Sequence, residues 1–302
     1  MPESDVVLEI KGLDKHYGRI HAVNSLSLQV RRGMVFGMLG PNGSGKTTTL
    51  GMVLGVTSPD RGEINWFNKG NHHHIRKSIG AILERPVFYP YMTARQNLEL
   101  VCRIKEVPYQ RIPNVLEITG LSDRANDPFK SYSLGMKQRL AIASALLCDP
   151  LVMILDEPTN GLDPQGIADI RELILKIAES GKTIVLASHL LDEVQKVCTD
   201  YCVLSKGRLL YNGSVSSDLG VKSMFDVAAG DMNALRNKLL SLKDISVIED
   251  SDQLIRVQLH QGIGPATLNE LLAREGIFLH HLVAGKKSLE EEFLKILRED
   301  QS

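Results

Sequence analysis

Apolar and polar positions along the first part of the chain predict strands and helices that alternate. Spaced apolar residues at Val6–Ile10 and Leu26–Val30 predict two strands, and the unbroken apolar run Met34–Leu39 predicts a strand buried on both faces. Further helices are predicted at about 47–54, 93–120, 134–147 and 164–179, further strands at 151–155 and 183–187, and a short helix after residue 189. This order predicts an α/β fold on a largely parallel sheet, and the antiparallel-looking start predicts that the sheet is mixed.

The pattern changes after Tyr211-Asn212-Gly213, where we predict a smaller second domain. Strand and helix signals follow in the order β-α-β-β-α-β, at 224–229, 232–242, 246–248, 254–259, 266–274 and 278–283, before a last helix at 288–297. That order is typical of a small α+β domain of ferredoxin-like type with one added helix. We therefore predict a larger first domain over residues 1–220, with a helical subdomain at about 90–148, and an accessory domain over residues 221–302.

The composition is that of an ordinary globular protein. The 302 residues are 43% hydrophobic and 24% charged, and the formal net charge is −1. Because the chain has no overall basic field, we expect no nucleic-acid partner. No apolar run approaches the ~18 residues of a membrane span, and residues 1–5 contain no signal-peptide core. We therefore expect a cytoplasmic protein, and any membrane-spanning part must come from a separate chain.

Cysteine and histidine residues give no strong metal signal. The four cysteines lack zinc-ligand spacing, which favours reduced thiols in packed positions. Cys198 and Cys202 are four positions apart and are expected on one helical face. The run His72–His74 is interpreted as a surface loop, with a metal site as the minor alternative.

A glycine-rich segment after the third predicted strand matches the phosphate-binding pattern G-x-x-x-x-G-K-[ST] in full. Glycines let the backbone curl so that its N–H groups point at anionic oxygens, and the helix that follows adds a favourable field. Lys46 supplies positive charge for the β- and γ-phosphates, and the Thr47 hydroxyl is a candidate Mg²⁺ ligand. The candidate phosphate-binding residues are Gly40, Pro41, Asn42, Gly43, Ser44, Gly45, Lys46, Thr47 and Thr48. A chance glycine turn, the alternative, does not account for the strand and helix on either side.

Two adjacent carboxylates follow the predicted strand Leu151–Leu155. In open α/β sheets ligands bind at the carboxyl ends of the strands, which is where Asp156 and Glu157 lie. Asp156 is the candidate ligand of Mg²⁺, and Glu157 is the candidate general base for an attacking water. The alternative is an ordinary surface pair at a strand end, which the phosphate-binding pattern upstream makes less attractive.

At this point the chain resembles one superfamily, the ATP-binding cassette ATPases. The segment Tyr132–Met136 stands where that family has its signature Leu-Ser-Gly-Gly-Gln; Ser133 and Gly135 match, and three positions depart. Asn160-Gly161-Leu162-Asp163 is similar to the family's D-loop. These motifs occur in family order over roughly residues 6 to 215.

The resemblance implies an ATPase that works as a dimer with ATP and Mg²⁺. It implies that Tyr17 stacks on adenine, that Ser133 and Gly135 contact the γ-phosphate held by a second copy, and that Asp163 couples the two sites. The signature residues precede a helix, which is a natural place for an anion. Without the other motifs, Tyr17 would be interpreted as a core residue at a strand end.

The resemblance also assigns His189 and Glu84. His189 stands at the position of the switch histidine, which contacts the γ-phosphate and orients Glu157; the local alternative is a capping or buried-turn histidine. The family usually has Gln after the strand at 79–83, where this chain has Glu84. Because a Glu offers Mg²⁺ the same oxygen with added charge, Glu84 is a candidate metal ligand and we expect hydrolysis to survive.

Three segments resemble the branch of this family that exports bacitracin and other drugs. They are residues 79–91, the variant signature Tyr132–Met136, and Ser288–Leu294. The resemblance implies a homodimer, or a pair with a related subunit, on the cytoplasmic face of the membrane. It would power a separate permease that exports a drug, peptide or lipid-like substrate.

Two alternatives remain open from the sequence. One is a soluble ATPase acting on ribosomes or DNA, although such relatives generally carry two cassettes or long inserted coiled coils. The other is a catalytically dead cassette, although the phosphate-binding and acidic motifs are intact.

Overall fold

A computed structural model describes residues 5–71, 73–83, 86–215, 224–242, 244–251, 253–259, 264–284 and 289–299. The chain divides into two compact units, the first formed by Met1–Val215 with Phe293–Ser302 and the second by Ser216–Glu292. Among the described residues, no helix combines the length and apolar character needed to cross a bilayer.

The first unit contains nine strands and seven helices within its described residues up to Val215. The strands are β1 Val6–Tyr17, β2 Ile20–Arg31, β3 Val35–Leu39, β4 Arg61–Trp66, β5 Ile79–Ile82, β6 Val152–Asp156, β7 Thr183–Ser188, β8 Asp200–Ser205 and β9 Arg208–Ser214. The helices are α1 Lys46–Val53, α2 His73–Lys77, α3 Ala94–Lys105, α4 Ile112–Ile118, α5 Leu134–Leu146, α6 Pro164–Glu179 and α7 Leu191–Val197.

These strands form two sheets. The larger has the order β5-β6-β7-β3-β8-β9; its strands pair in parallel from β5 to β8, and β9 runs antiparallel to β8. The smaller is antiparallel with the order β2-β1-β4. The predicted α/β class with a mixed sheet is therefore confirmed. Strands β3, β6 and β7 are buried along their whole length, as their unbroken apolar sequences predict.

One apolar core joins the two sheets through α1. This helix contacts β2 of the small sheet and β6 of the large sheet. Trp66, at the end of β4, is fully buried, and its indole N–H donates to the carbonyl oxygen of Val53 at 3.1 Å. The last turn of the helix that follows the glycine loop is thus fastened to the small sheet.

Side chains at the helix starts explain where three long helices begin. Thr93 and Gln96 form a reciprocal capping box before α3. The hydroxyl of Ser133 accepts from the N–H of Met136 at the start of α5. The carboxylate of Asp163 accepts from the N–H of Gly166 at the start of α6.

The structure corrects several predicted boundaries. Strand β4, which begins at Arg61, was not among the predicted strands, and the helix expected over 93–120 is two helices separated by the segment around Pro108. Proline cannot donate a backbone hydrogen bond in a helix interior, which explains the break. His73 and His74 begin the short helix α2 instead of a loop, and His72 lies outside the described residues. No group of three or more metal-binding side chains is found in the described parts of the chain.

The prediction that Cys198 and Cys202 share a helical face is wrong. Cys198 caps the end of α7, and Cys202 lies inside the buried strand β8. The four cysteines are free thiols, as expected. Burial raises the pKa of Cys202 to about 12, so this thiol stays protonated at neutral pH.

The second unit is a four-stranded antiparallel sheet with two helices packed on one face. Its described strands are β10 Met224–Ala229, β11 Ile245–Asp250, β12 Ile255–Leu259 and β13 Leu279–Ala284, and its helices are α8 Met232–Ser241 and α9 Pro265–Arg274. The sheet order β11-β12-β10-β13 is that of the predicted ferredoxin-like domain. The additional helix α10, Leu289–Glu299, follows β13 and spans the boundary between the two units.

We predict that Leu268→Ala destabilises the second unit by about 2–5 kcal/mol, because Leu268 is fully buried in its core. Urea unfolding should be followed by far-ultraviolet circular dichroism and by the fluorescence of Trp66, the chain's single tryptophan, which lies in the first unit. The dichroism midpoint should fall while the Trp66 midpoint stays in place. Leu240→Ala, at an exposed position of the same unit, is the control and should leave both midpoints unchanged. If both midpoints fall equally, the two units unfold together, and the expectation that they unfold independently is wrong.

Candidate nucleotide site

Three neighbouring parallel strands bring the predicted site residues to one edge of the large sheet. In register, Leu39 of β3 lies beside Ser188 of β7, and Asp156 of β6 lies beside Ala187 of β7. The glycine loop follows β3, Glu157 follows β6, and His189 follows β7. Segments far apart in the sequence therefore meet where these strands end.

Gly45 shows why the loop needs glycine. Its φ of 102° lies in the left-handed region, and a Cβ there would stand 2.5 Å from the carbonyl oxygen of Ala22 on β2. Gly43 also has a positive φ, 81°, but open space surrounds its missing side chain. The loop is thus held close to β2 at Gly45 and is open to solvent at Gly43.

Lys46 is buried inside the curve of the loop. Only 5% of the residue is exposed, and its ammonium donates to the carbonyl oxygens of Gly40 at 2.6 Å and Pro41 at 3.3 Å. The ammonium also lies 3.8 Å from a carboxylate oxygen of Glu157. Burial lowers the pKa of Lys46, and the charges of Glu157 and Asp156 oppose that shift. The structure therefore holds a desolvated cation between the loop and the acidic pair.

Glu157 contacts both Lys46 and His189. Its second carboxylate oxygen lies 2.8 Å from Nδ1 of His189, and its N–H donates to the carbonyl oxygen of Ala187. The backbone of Glu157 has a φ of 47°, an unusual value for a residue other than glycine. Such strain concentrates at functional sites. The tight turn after β6 is what aims this carboxylate back over the loop.

Two cavities meet at Thr47 and Glu157. One, of about 270 Å³, lies along the glycine loop from Asn42 to Thr48 and is bounded by Ile20. The other, of about 660 Å³, has a wall formed by Thr47, Leu83, Pro86, Val87, Leu134, Gln138, Asp156, Glu157, Asn160 and Gly161.

The residues of these cavities fit a phosphate and a hard divalent cation. The Ser44 hydroxyl is buried and has no hydrogen-bond partner among the described residues, so it is available to a phosphate oxygen. The Thr47 hydroxyl and the Asp156 carboxylate line one cavity, and oxygen ligands of this kind suit Mg²⁺.

The remaining predicted residues lie elsewhere. Tyr17 is at the tip of the β1–β2 hairpin, opposite Ile20 in register. Ser133 is exposed before α5, Gly135 is in that helix's first turn, and the exposed Asp163 accepts from the N–H of Gly166 at the start of α6. Among the described lining residues, none of these four is in either cavity. Glu84 lies outside the described residues.

Gln138 is a residue of the larger cavity that the motif analysis missed. It is 6% exposed, and its Nε2 has no hydrogen-bond partner in the described part of the chain. The available signal was its position four residues after Leu134, on a helix face that is otherwise apolar.

A buried lysine in a strand–glycine loop–helix segment, with an acidic pair at the end of β6 two strands away in the same sheet, defines a P-loop nucleotide-binding protein. The family model described as "ABC transporter" matches residues 23–160. The bacitracin transport ATP-binding protein BcrA of Enterococcus faecalis is 34% identical over 304 residues, which cover 97% of this chain and 97% of that protein. The chain therefore belongs to the ATP-binding subunits of ABC transporters.

Solved structures show the same fold. The structure of cbiO1 from Clostridium perfringens, described as part of the transporter complex cbiONQ, has a TM-score of 0.65 and 29% identity, covering 79% of this chain and 96% of that one. The cassette MJ0796, solved as a dimer in a post-hydrolysis state with ADP and Pi, has a TM-score of 0.63 and 27% identity, covering 69% of this chain and 98% of that one.

We predict that Gly45→Ala lowers the affinity for ATP by about tenfold or more, because the new Cβ forces the loop away from Ala22. Gly43→Ala is the matched control, since it carries the backbone cost of a positive φ without the close contact, and its loss should be clearly smaller. Isothermal titration calorimetry measures both. Equal losses would mean that the close approach to β2 does not shape the loop.

Proposed function

We propose that this chain hydrolyses Mg²⁺-ATP at the site around Lys46 and Glu157 and thereby drives a separate membrane-spanning permease. The observation that carries the proposal is the Glu157 carboxylate, held between the His189 imidazole and the Lys46 ammonium at the end of the glycine loop. In this arrangement the Glu157 carboxylate can accept a proton, the His189 ring orients that carboxylate, and the Lys46 ammonium neutralises phosphate charge.

Lys46 acts by charge neutralisation. Its ammonium is already desolvated and directed by two loop carbonyls, so a bound triphosphate meets a cation whose position is set in advance. Adjacent loop N–H groups and the orphaned Ser44 hydroxyl supply further donors to the phosphate oxygens.

Glu157 acts on the attacking water, and His189 holds it in place. The contact at 2.8 Å fixes one carboxylate oxygen and leaves the other facing Lys46 and the loop. A water between that oxygen and the terminal phosphate would pass its proton to Glu157 as it attacks.

Mg²⁺ would be held by Thr47 and Asp156, with Glu84 as the further candidate that the family resemblance supplies. When bound, the cation neutralises charge that develops on the phosphate oxygens.

We propose that the complete site needs two copies. Ser133 and Asp163 are exposed and bond only to their own helix starts in the contacts described, so their side chains face solvent in a single chain. The dimeric MJ0796 cassette supports an arrangement in which these residues face the nucleotide of a second subunit. Gly135, in the first turn of α5, is the third residue that we propose for this contact, through its backbone.

We further propose that the chain is a peripheral subunit on the cytoplasmic face, paired with a permease that exports a drug, peptide or lipid-like compound. The bacitracin transport protein and the cbiONQ subunit support a role in transport as part of a complex. Within this proposal, residues 1–220 carry the nucleotide chemistry, with a helical subdomain at about 90–148, and residues 221–302 form the accessory domain.

Glu157→Gln should reduce ATP turnover by about 10²–10⁴-fold, because the amide cannot accept the proton of the attacking water. ATP affinity should stay within about threefold of the original, since the phosphate cradle is unchanged. Phosphate release and nucleotide titration measure the two quantities. Glu179→Gln, at the exposed end of α6, is the control with normal turnover expected. Normal turnover in Glu157→Gln would refute the assignment.

Mixing two inactive variants tests the shared site. Lys46→Ala removes the cradle charge, and Ser133→Arg blocks the surface offered to a partner. A mixed dimer contains one site with an intact Lys46 from one chain and an intact Ser133 from the other. We therefore expect phosphate release in the mixture that neither variant shows alone. Activity of Ser133→Arg by itself at the original rate would contradict a two-copy site.

A further inference from the structure

The tip of the β1–β2 hairpin forms one boundary of the loop cavity. Ile20, at the start of β2, is 69% exposed and lines the cavity beside the glycine loop. Tyr17 lies directly opposite Ile20 in the antiparallel register. Because directly opposed residues project from the same face of a hairpin, the ring of Tyr17 lies on the cavity side, and 49% of the residue is exposed.

Lys15 covers one face of that ring. It precedes Tyr17 by two positions and therefore shares its face of the strand. Its ammonium lies 5.5 Å from the ring centroid, within the range of a cation–π contact, although only 14% of the side chain is exposed. A flat base approaching from solvent would meet the other face of the ring.

Asp60 holds Lys15 and the strand together. One carboxylate oxygen accepts from the Lys15 ammonium at 2.9 Å, and the other accepts from the backbone N–H of His16 at 2.6 Å. The N–H of Asp60 itself donates to the carbonyl oxygen of Asp14. Strand β4 begins at the next residue, so Asp60 connects the start of this strand to the hairpin. The Lys15 hydrogen bond keeps the pKa of Asp60 below its usual value.

The histidines of the hairpin also make contacts that do not involve Lys15. The rings of His16 and His21, a cross-strand pair, stack with centroids 3.9 Å apart, and Nε2 of His21 lies 2.7 Å from a carboxylate oxygen of Asp14. Changes at Lys15 therefore leave a separate set of contacts to keep the strands paired.

We propose that Asp60 and Lys15 are positioning residues that orient the ring of Tyr17 and so determine how tightly the protein holds the base of its nucleotide. The pair acts through Tyr17 and does not touch the phosphates. This inference rests on the proposed ATP-binding function, and it adds a determinant of base binding, Asp60, that lies outside the glycine loop, some 40 positions later in the chain than Tyr17.

The test uses Lys15→Met, which keeps the aliphatic stem, and Asp60→Asn, which keeps the shape and an acceptor for the N–H of His16. Affinities for ATP, GTP and inorganic tripolyphosphate, and the kcat and KM for ATP, are measured on the full chain. Both variants should lose about two- to tenfold in ATP affinity. Tripolyphosphate affinity and kcat at saturating ATP should stay unchanged, and GTP affinity should fall by a factor similar to that for ATP, because either purine can stack on the ring.

Lys11→Met is the matched control. Lys11 is on the same strand and pairs with Glu9, and its side chain is largely exposed. It should change none of these quantities. In addition, Lys15→Met should have little effect in a Tyr17→Ala background, because the ring through which it acts is then absent.

Two results would overturn the inference: unchanged ATP affinity in both variants, or an equal loss of ATP and tripolyphosphate affinity. If Asp60→Asn fails to fold, Lys15→Met alone decides. Measurements on the unsubstituted protein distinguish a failure of this inference from a failure of the proposed function. If the unsubstituted protein shows no Mg²⁺-dependent ATP binding, the proposed function itself is refuted. Normal binding that Tyr17→Ala weakens and Lys15→Met does not would refute only the positioning role.

Discussion

The contact between the buried ammonium of Lys46 and the carboxylate of Glu157, 3.8 Å apart, depends on the level at which three parallel strands end. Strands β6, β7 and β3 are neighbours, and each delivers one part of the site from its carboxyl end. A shift of one residue in register would move a strand end by about 3.3 Å and reverse the side chains that face the core. The register of these apolar strands therefore fixes the distance between the charged groups, which lie just beyond the strand ends.

The same arrangement explains why a desolvated lysine is tolerated. Burial alone would favour the neutral amine, but two loop carbonyls accept its hydrogen bonds and two carboxylates lie nearby. An anionic phosphate offers stronger partners than neutral carbonyls, so binding can replace contacts that the protein already maintains. The Lys46 side chain is already ordered when the protein folds, so nucleotide binding does not carry that entropic cost.

Local chemistry made much of this predictable. Each of β3, β6 and β7 is a short unbroken apolar run, and the glycine loop and acidic pair follow such runs directly, so strand ends and candidate groups could be predicted together. The order β-α-β-β-α-β likewise predicted the ferredoxin-like unit. The strand β4 was not predicted, because the turn residues just before it dominate the local pattern. The strand position of Cys202 was hidden because a spacing of four suits a helix, whereas pairing with β3 and β9 makes that segment a strand. The contacts of Asp60 depend on tertiary packing and had no local signal, whereas the polar Gln138 on an otherwise apolar helix face was a signal that the motif analysis did not use.

The groups of the site also differ in what they require from the rest of the molecule. Glu157 contacts both Lys46 and His189 within one chain, so the geometry of these three groups is set by its sheet. Ser133 and Asp163 are exposed helix caps whose hydrogen bonds stabilise their own helices. A cap needs only one side-chain oxygen, and its helix start still presents further N–H groups to an anion. Folding of a single chain therefore accounts for both caps fully, and their proposed role toward the nucleotide of a second subunit is an additional demand on the same residues.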